Sequence, residues 1–466
     1  MSSKPISEPA DQVPPSAAVH LGVARRRIDP PSGIYARNWG AARHDTAEGI
    51  HGSLLATVLV IRGQGSPDPL ILASLDLGWW QQAEDEWLVR GALIESLCLR
   101  PERVMLSCIH THAGASLCSG DADKPGGNLI QQYLHQLRDS LMDATREALD
   151  RMAPGTLSWT TGRCDLAANR DLPDPLRNRI LCGYNPAKPA DDTVLVGRAT
   201  DEKGRLLATI VNYACHPTTL AWDNRLISAD YVGPMRELVE SHTEQAPCLF
   251  LQGASGELAP REQYTGDLAI AESNGRRLGY AVLAALESML PPRTKLAYAG
   301  VVESGAALAT WRREPFDPSK VVLAEQVDVE LPLKPLPSEE ELRRQLAECS
   351  DRVMAERIRR KMRVVHMVGS GPTTQMPAWI WRIGDAILVG QPNEACSAFQ
   401  TELRRMFPRK AVVVMNLVNG CCGYLSPPEL HDLDIYQVWQ SPFDRQALPC
   451  LIETCRERIS SMLPCA

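Results

Sequence analysis

The sequence lacks the features that would place the protein in a membrane or on nucleic acid. It has no apolar run of roughly 18 residues, the length that a membrane-spanning helix requires. The 49 Lys and Arg residues do not exceed the 56 Asp and Glu residues, so no basic surface for nucleic acid is expected. Residues 1–15 are polar and lack the apolar segment of a secretory signal. We therefore predict a cytoplasmic protein with no nucleic-acid partner and no membrane span.

A disulfide framework is also missing. The 14 cysteines are scattered, no C-x-x-C motif occurs, and only Cys421 and Cys422 are adjacent. Because no secretory signal is recognised, reduced and mostly buried thiols are the better interpretation.

The composition is that of an ordinary globular protein, with 44% hydrophobic and 23% charged residues. We predict a disordered N-terminal lead over 1–18 and a single domain over 19–466. Within that domain, a helical and charged subregion at about 296–366 is interpreted as a lid-like insertion with no sign of chemistry. The polar and irregular segment 164–192 is predicted to line or cover a site.

Apolar runs of strand length alternate with amphipathic helical patterns. The runs 53–61 and 70–76 flank a turn rich in Gly and Pro and predict a hairpin, and a second hairpin is predicted over 379–390. Helices are predicted over 82–99 and 129–151. This alternation predicts an α/β (α+β) fold in which layered β-sheets are flanked by helices.

The most distinctive stretch is 104–114, an apolar run that ends in His110-Thr111-His112. Side chains two residues apart on a strand point to the same side, so both imidazoles are expected to lie together at a strand end. Imidazole is the commonest protein ligand for zinc. The alternative is a pair of ordinary histidines at a strand end, so a metal site requires further donors from elsewhere in the chain.

Three other predicted strands end close to a nitrogen or oxygen donor, namely His216, Glu394 and Tyr424. In α/β proteins, ligands collect at the carboxyl ends of strands. Each residue also has an ordinary explanation; Glu394, for example, is favoured near a helix start by the helix dipole. Four such strand ends together suit a zinc site better than four independent caps.

Several side chains near these strand ends remain open to two interpretations. Asp76 is predicted to be a cap or loop organiser, with contact to a metal-binding histidine as the alternative. The tryptophans that follow strands or lie in loops are predicted to be core, with an apolar pocket as the alternative; they are Trp79, Trp80, Trp222 and Trp439.

These stretches resemble the neutral/alkaline non-lysosomal ceramidase family over most of residues 20–440. His110-Thr111-His112-Ala113-Gly114 is similar to the family's His-Thr-His-Ser-Gly, and Pro392-Asn393-Glu394 is similar to its Pro-Gly-Glu. The other blocks that carry the resemblance are Gly22-Val23-Ala24 with Ile28-Asp29-Pro30, Gly49-Ile50-His51, Asp76-Leu77-Gly78, Asn169-Arg170, the strand ending at His216, Ile227-Ser228-Ala229-Asp230, and Tyr424 with Tyr436.

The resemblance implies that residues 19–466 form a ceramidase-like catalytic domain, a zinc-dependent hydrolase that cleaves an amide C–N bond with a metal-activated water. The residues implied as ligands of Zn2+ are His110, His216, Glu394 and Tyr424. The residues implied as catalytic are His112, which would act near that water, and Arg170 and Tyr436, which would hold the substrate or the developing oxyanion.

Two departures from the family shape the substrate prediction. Where the family has a serine before a proline, this chain has Ala259-Pro260. Family members are secreted or membrane-facing and carry a further C-terminal β-domain, neither of which we expect here. The partner is therefore predicted to be a soluble N-acyl small molecule rather than membrane ceramide. Hydrolysis of an ester or lactone and a non-catalytic metal-binding role stay open as alternatives, and so does the oligomeric state, including a homo-oligomer.

Overall fold

The structure is a computed structural model that describes residues 10–464. Its strands, in chain order, are β1 (Ser16–Arg27), β2 (Gly49–His51), β3 (Leu55–Arg62), β4 (Leu70–Leu75), β5 (Val104–Cys108), β6 (Ala153–Arg163), β7 (Ala167–Asn169), β8 (Asp171–Asp174), β9 (Arg179–Cys182), β10 (Thr193–Asp201), β11 (Leu206–Tyr213), β12 (Leu226–Ser228), β13 (Cys248–Gln252), β14 (Leu258–Pro260), β15 (Thr294–Glu303), β16 (Ala307–Pro315), β17 (Val322–Pro332), β18 (Thr373–Ile383), β19 (Ala386–Gly390), β20 (Glu394–Ala395), β21 (Ala411–Met415) and β22 (Tyr424–Leu425).

The α-helices, in chain order, are α1 (Ala83–Ser96), α2 (Ile130–Asp150), α3 (Val232–Ser241), α4 (Leu268–Glu287), α5 (Glu339–Glu348), α6 (Arg352–Val368), α7 (Ala398–Met406), α8 (Tyr436–Gln440) and α9 (Ala447–Met462).

The largest sheet has eight strands in the order β13-β11-β10-β6-β1-β3-β4-β5. Its middle strands are antiparallel, whereas the outer pairs β11/β13 and β4/β5 are parallel. Strand β3 is apolar on both faces because Val58 and Val60 pack into one core and Leu59 and Ile61 into another. The sheet is therefore an inner layer of the molecule.

The second sheet has four strands in the order β17-β18-β19-β21 and packs face to face on the first. Trp379 and Trp381 of β18 and Leu388 of β19 meet Leu59 and Leu249 of the larger sheet in this core. The parallel neighbours β19 and β21 end on the same edge of the sheet.

Helices cover the two outer faces of this sandwich. Leu137 of α2 and Leu278 of α4 belong to the core on the larger sheet, together with side chains of α1 and α3. Phe399 of α7 and Leu451 of α9 belong to the core on the smaller sheet. The predicted fold class, layered β-sheets flanked by helices, is confirmed, and so are the hairpins β3/β4 and β18/β19.

The N-terminal boundary differs from the prediction. Residues 1–9 lie outside the described residues, but the rest of the predicted lead is ordered against the domain. The amide of Gln12 donates to the carbonyl of Leu296 at 2.8 Å, and β1 begins at Ser16. Backbone pairing with a distant segment gives no local sequence signal, which is why the polar composition was misleading.

The subregion predicted at about 296–366 as helical is only partly so. Its first half forms the hairpin β15/β16 and then β17, which joins the smaller sheet. Its second half forms α5 and α6. Only one residue of β15, Ala297, is buried, so the strand lacks the alternation of buried residues by which strands are recognised.

Two further predictions were that the chain has no disulfides and no membrane-spanning helix. The 13 described cysteines form no disulfide with one another. Across residues 10–464, no helix has the length and apolarity needed to cross a membrane.

Candidate metal centre

The two histidines of the distinctive motif follow a strand rather than lying on it. Strand β5 ends at Cys108, and His110 has a φ of +71°, a left-handed conformation that no strand residue adopts. The His110 amide donates to the carbonyl of Leu77 at 3.0 Å, which holds the turn in place. The expectation that both imidazoles share one strand face is therefore wrong, although the turn still brings them together, with ring centroids 4.8 Å apart.

His216 follows β11 and is completely buried. Its Nδ1 atom donates to the carbonyls of Ser255 at 2.7 Å and Leu258 at 3.1 Å. This contact leaves Nε2 without a proton in the neutral ring. Hydrogen bonds of this kind orient metal-binding histidines and select the nitrogen that binds.

Glu394 and Tyr424 are held side by side by a short parallel ladder. Strands β20 and β22 pair Glu394 with Tyr424 directly, and the Glu394 amide donates to the carbonyl of Gly423 at 2.9 Å. Burial raises the pKa of the Tyr424 phenol well above its usual value, and the nearby Glu394 carboxylate adds to this effect. The phenol is therefore protonated at neutral pH unless a cation binds to its oxygen.

The donors converge on one point. The Nε2 atoms of His110 and His216 lie 3.2 Å and 3.0 Å from the same Oε2 atom of Glu394. Burial lowers the pKa of His216 to about 3, and the positive charge of Arg170 contributes, so the ring is neutral at pH 7. The lone pair of Nε2 thus faces a carboxylate oxygen. A cation between these atoms would remove the repulsion, and imidazole nitrogen with carboxylate oxygen is a donor set that suits zinc.

His112 also reaches this point, as its predicted place near the metal-bound water implies, but the sequence did not predict it as a third imidazole donor. Its Nε2 atom lies 3.4 Å from Nε2 of His110, and the ligand atoms of His110, His112 and His216 all lie within 4.8 Å of one another. Within the described residues, its Nδ1 atom is buried and has no partner. Burial lowers the pKa of His112 well below its usual value, and the neighbouring histidines add to this effect.

Arg170 is a buried guanidinium beside these donors. Its Nη2 atom donates to the carbonyl of Gly256 at 2.6 Å and to the hydroxyl of Tyr424 at 3.2 Å. The guanidinium carbon lies 5.7 Å from the Tyr424 ring centroid and 5.9 Å from that of Tyr436. No carboxylate among residues 10–464 forms an ion pair with Arg170, and its buried Nε has no partner. A buried, unpaired cation is costly unless an anion or a developing oxyanion meets it.

All seven residues predicted for the site come together around one cavity of about 480 Å³. His110, His112, Arg170, Glu394, Tyr424 and Tyr436 line this cavity, which we call the main cavity, and His216 contacts Glu394 behind them. Arg170 and Cys182 come from the segment predicted to line a site. The sequence identified the donors through their positions after strands, and the structure places those strand ends together.

The charged subregion was predicted to be helical but to carry no chemistry, whereas its helix α6 forms one wall of the main cavity. Arg357, Arg360, Arg363 and Met367 of α6 line it, and so do Trp39 and Tyr264 from loops. The regular spacing along α6 was visible as an amphipathic pattern. Nothing in the sequence indicated that this face meets the predicted site instead of solvent.

The structure decides between the two interpretations that the sequence left open for Asp76 and for the four tryptophans. Asp76 organises a loop: it accepts from the amide of Leu55 at 2.8 Å and forms a two-pronged ion pair with Arg236, and it contacts neither histidine. Trp79 and Trp222 line the main cavity, Trp80 is 1% exposed yet also reaches its wall, and Trp439 is 47% exposed.

The position of the missing serine lies away from the cavity surface. Ala259 is buried in β14, opposite Ala168 of β7, and is not among the residues that line the main cavity. Ser255, the nearest serine in sequence, accepts from Nδ1 of His216 with its carbonyl oxygen, while its hydroxyl accepts from Gln252 at 2.7 Å.

Comparison with known proteins agrees with this fold. The family profile described as "Neutral/alkaline non-lysosomal ceramidase, N-terminal" matches residues 37–260. The fold is similar to that of neutral ceramidase from Pseudomonas aeruginosa, with a TM-score of 0.67 and 18% identity over 97% of this chain and 76% of that chain. A structure described as "Ceramidase complexed with C2" is similar with a TM-score of 0.68 and 16% identity, over 96% of this chain and 76% of that one. No curated protein sequence matches.

At these identities the structural likeness concerns the fold, and the profile match concerns the sequence. Both point to the same group of proteins, and the matched segment contains His110, His112, Arg170 and His216. The sequence profile and the fold therefore both support an assignment to the neutral/alkaline non-lysosomal ceramidase family.

Proposed function

We propose that this protein is a zinc-dependent hydrolase that cleaves the amide C–N bond of a soluble N-acyl compound. The observation that carries the proposal is the pair of imidazole nitrogens on one oxygen of Glu394, beside the unpaired guanidinium of Arg170. The match to the ceramidase family profile supports hydrolysis of an amide bond.

The proposed ligands of the metal are His110, His216, Glu394 and Tyr424. Bound there, zinc would polarise the amide carbonyl and lower the pKa of the attacking water. The reaction consumes one water: its oxygen ends on the acyl carbon, the C–N bond breaks, and its protons go to the leaving amine and the new carboxyl group.

His112 is proposed to move the proton. Because burial lowers its pKa, the imidazole is neutral at pH 7 and Nε2 or Nδ1 is free to accept. Its ring lies between the rings of Trp39 and Trp79, with centroid distances of 5.1 Å and 5.0 Å, so its orientation is restricted. A restricted base beside the scissile bond can take a proton from water and return it to the leaving nitrogen.

Arg170 and Tyr436 are proposed to stabilise the tetrahedral oxyanion. The Arg170 guanidinium is held by Gly256 and Tyr424 and keeps its Nε free. Tyr436 begins α8 and lies with its ring centroid 5.8 Å from that of Tyr424. A positioned donor of this kind contributes roughly 10²–10³ in rate.

A cavity of about 480 Å³ falls in the range of small-molecule sites. Its wall combines Trp79 and Trp222 with the polar groups of the site, which supports a substrate with an apolar acyl part. A soluble substrate in the cytoplasm remains part of the proposal.

The test pairs amide and ester substrates of the same acyl group with zinc-loaded protein. We expect amide turnover that falls about 100-fold or more in Arg170→Ala and in Tyr436→Phe, and that persists in Tyr280→Phe, a matched change at an exposed tyrosine. Turnover of esters alone would replace the proposal with an esterase or lactonase. Stoichiometric zinc with no turnover of any acyl compound would indicate a metal-binding role without catalysis.

A further inference from the structure

Helix α6 presents one continuous face to the main cavity. The residues of α6 that line it recur every three or four positions, which is the spacing of a single helix face: Val353, Glu356, Arg357, Arg360, Arg363, Val364 and Met367. Three of these seven are arginines. This wall of the main cavity is therefore rich in guanidinium groups.

Two of the arginines lie against aromatic rings that contact the proposed catalytic residues. The guanidinium carbon of Arg360 is 5.9 Å from the ring centroid of Trp79, which is 5.0 Å from that of His112. The guanidinium carbon of Arg357 is 5.1 Å from the ring centroid of Trp439, which is 5.4 Å from that of Tyr436. Each guanidinium is thus separated from the reaction site by one aromatic side chain.

The positive charge of this wall is not balanced by carboxylates. Arg363 pairs with Asp121 at 2.5 Å. Arg360 pairs with Glu356 at 2.6 Å, but the same carboxylate also pairs with Arg37 at 2.9 Å.

Arg357 is exposed and forms no ion pair within residues 10–464. Apart from Glu394, which is a proposed ligand, Glu356 is the one carboxylate among the described residues that line the main cavity, against four arginines. Arg170 is assigned to the oxyanion, but hydrolysis of a neutral amide has no use for the three arginines of α6.

We propose that the substrate carries an anionic group, a carboxylate in the simplest case, which Arg357 and Arg360 bind while the amide lies at the proposed metal site. Guanidinium groups bind carboxylates with paired N–H donors, and an exposed arginine that already stacks on an indole is oriented to do so. The apolar neighbours Val353, Val364 and Met367 on the same face provide contact for the acyl chain. This inference rests on the proposed function and names its substrate class: anionic N-acyl compounds, such as an acylated amino acid.

Binding without turnover tests the inference independently of zinc. Calorimetry on chelator-treated protein would compare an N-acylglycine with the carboxamide of the same compound, which has the same shape but no charge. We expect the carboxylate to bind about tenfold more tightly, with an advantage that shrinks as ionic strength rises. Equal binding of the two compounds, or no binding of either, would overturn the inference.

Variants on α6 give the second readout. In Arg357→Gln, the affinity for the carboxylate divided by that for the carboxamide should fall about tenfold. If the zinc-loaded enzyme hydrolyses both compounds, the ratio of their kcat/KM values should fall by the same factor. Lys361→Gln removes the same charge from an exposed position of α6 that does not line the cavity, and its ratio should match wild type. An unchanged ratio in Arg357→Gln contradicts the inference. Absence of turnover alongside a charge-dependent affinity contradicts the proposed function alone.

Discussion

The Nε2 atom of His216 lies 3.0 Å from Oε2 of Glu394, and the other nitrogen of the same ring donates to the carbonyl of Ser255. The two atoms that face each other are therefore both acceptors in the neutral ring. The two residues, one following β11 and the other in β20, are 178 residues apart in sequence, and in this tautomer neither atom carries a proton to donate. A cation bound between these atoms, as we propose, would remove the repulsion.

Replacing Glu394 should weaken zinc binding. In Glu394→Gln the anionic donor shared by His110 and His216 is lost, so we expect the zinc Kd to rise at least about 100-fold. Competition with a chromophoric chelator measures this Kd. Glu287→Gln, at an exposed glutamate of α4, serves as the control. An unchanged Kd in Glu394→Gln would place the metal elsewhere.

Replacing His112 separates two roles that the geometry brings close together. If His112 moves a proton, His112→Ala should keep stoichiometric zinc and lose roughly 10²–10⁴ in kcat. His110→Ala, only two residues away, should lose the zinc itself. Metal analysis and steady-state kinetics on the same preparations distinguish a proton-transfer role of His112 from metal binding. Loss of zinc from His112→Ala would show that His112 is a metal ligand.

Breaking the buried ion pair between Asp76 and Arg236 should destabilise the fold. Both side chains are buried, and the two guanidinium nitrogens lie 2.8 Å and 2.6 Å from the two carboxylate oxygens. Arg236→Met leaves the Asp76 charge buried, and we expect a loss of about 3–5 kcal/mol in the free energy of unfolding.

Urea titration measures this loss. Arg138→Met, which removes a surface pair with Asp139, should change the free energy of unfolding by less than about 1 kcal/mol. Similar small effects in the two variants would show that burial does not set the strength of the Asp76 pair.

Burial of Asp230 should make stability depend on pH. Burial raises the pKa of this carboxyl group to about 6, while amide donors from Leu220 and Tyr231 act in the opposite direction. The folded state therefore binds the proton more tightly than the unfolded state. Protonated Asp230 therefore stabilises the folded state, fully below the unfolded pKa of about 3.9. This contribution, up to about 3 kcal/mol in the free energy of unfolding, is lost as the pH rises through about 6.

Unfolding titrations of wild type and Asp230→Asn at pH 4 and pH 7.5 isolate this contribution from those of other carboxylates. The free energy of unfolding of wild type, relative to that of the variant, should decrease from pH 4 to pH 7.5. The amide tolerates the positive φ of +54° at this position, so the backbone is preserved. A constant difference between the two proteins would contradict the prediction.

Many of the strands and helices, and the residue types of the proposed ligands, could be predicted from local patterns. Periods of two and of 3.6 residues arise from backbone geometry within each segment, so the hairpins β3/β4 and β18/β19 were recognisable. Donor chemistry is a property of the single residue, so His110, His216, Glu394 and Tyr424 were candidates before any geometry was known.

The tertiary structure determines which distant residues these candidate ligands contact. His110 and Glu394 are 284 positions apart, and only the packing of two sheets brings Nε2 of the first within 3.2 Å of the second. The left-handed turn at His110, the third imidazole at the same point and the arginine wall of α6 depend on contacts between distant segments. The sequence by itself determined which chemistry is present, because residue type and local periodicity carry it. The tertiary structure determined where that chemistry acts, because long-range packing leaves no local pattern in the chain.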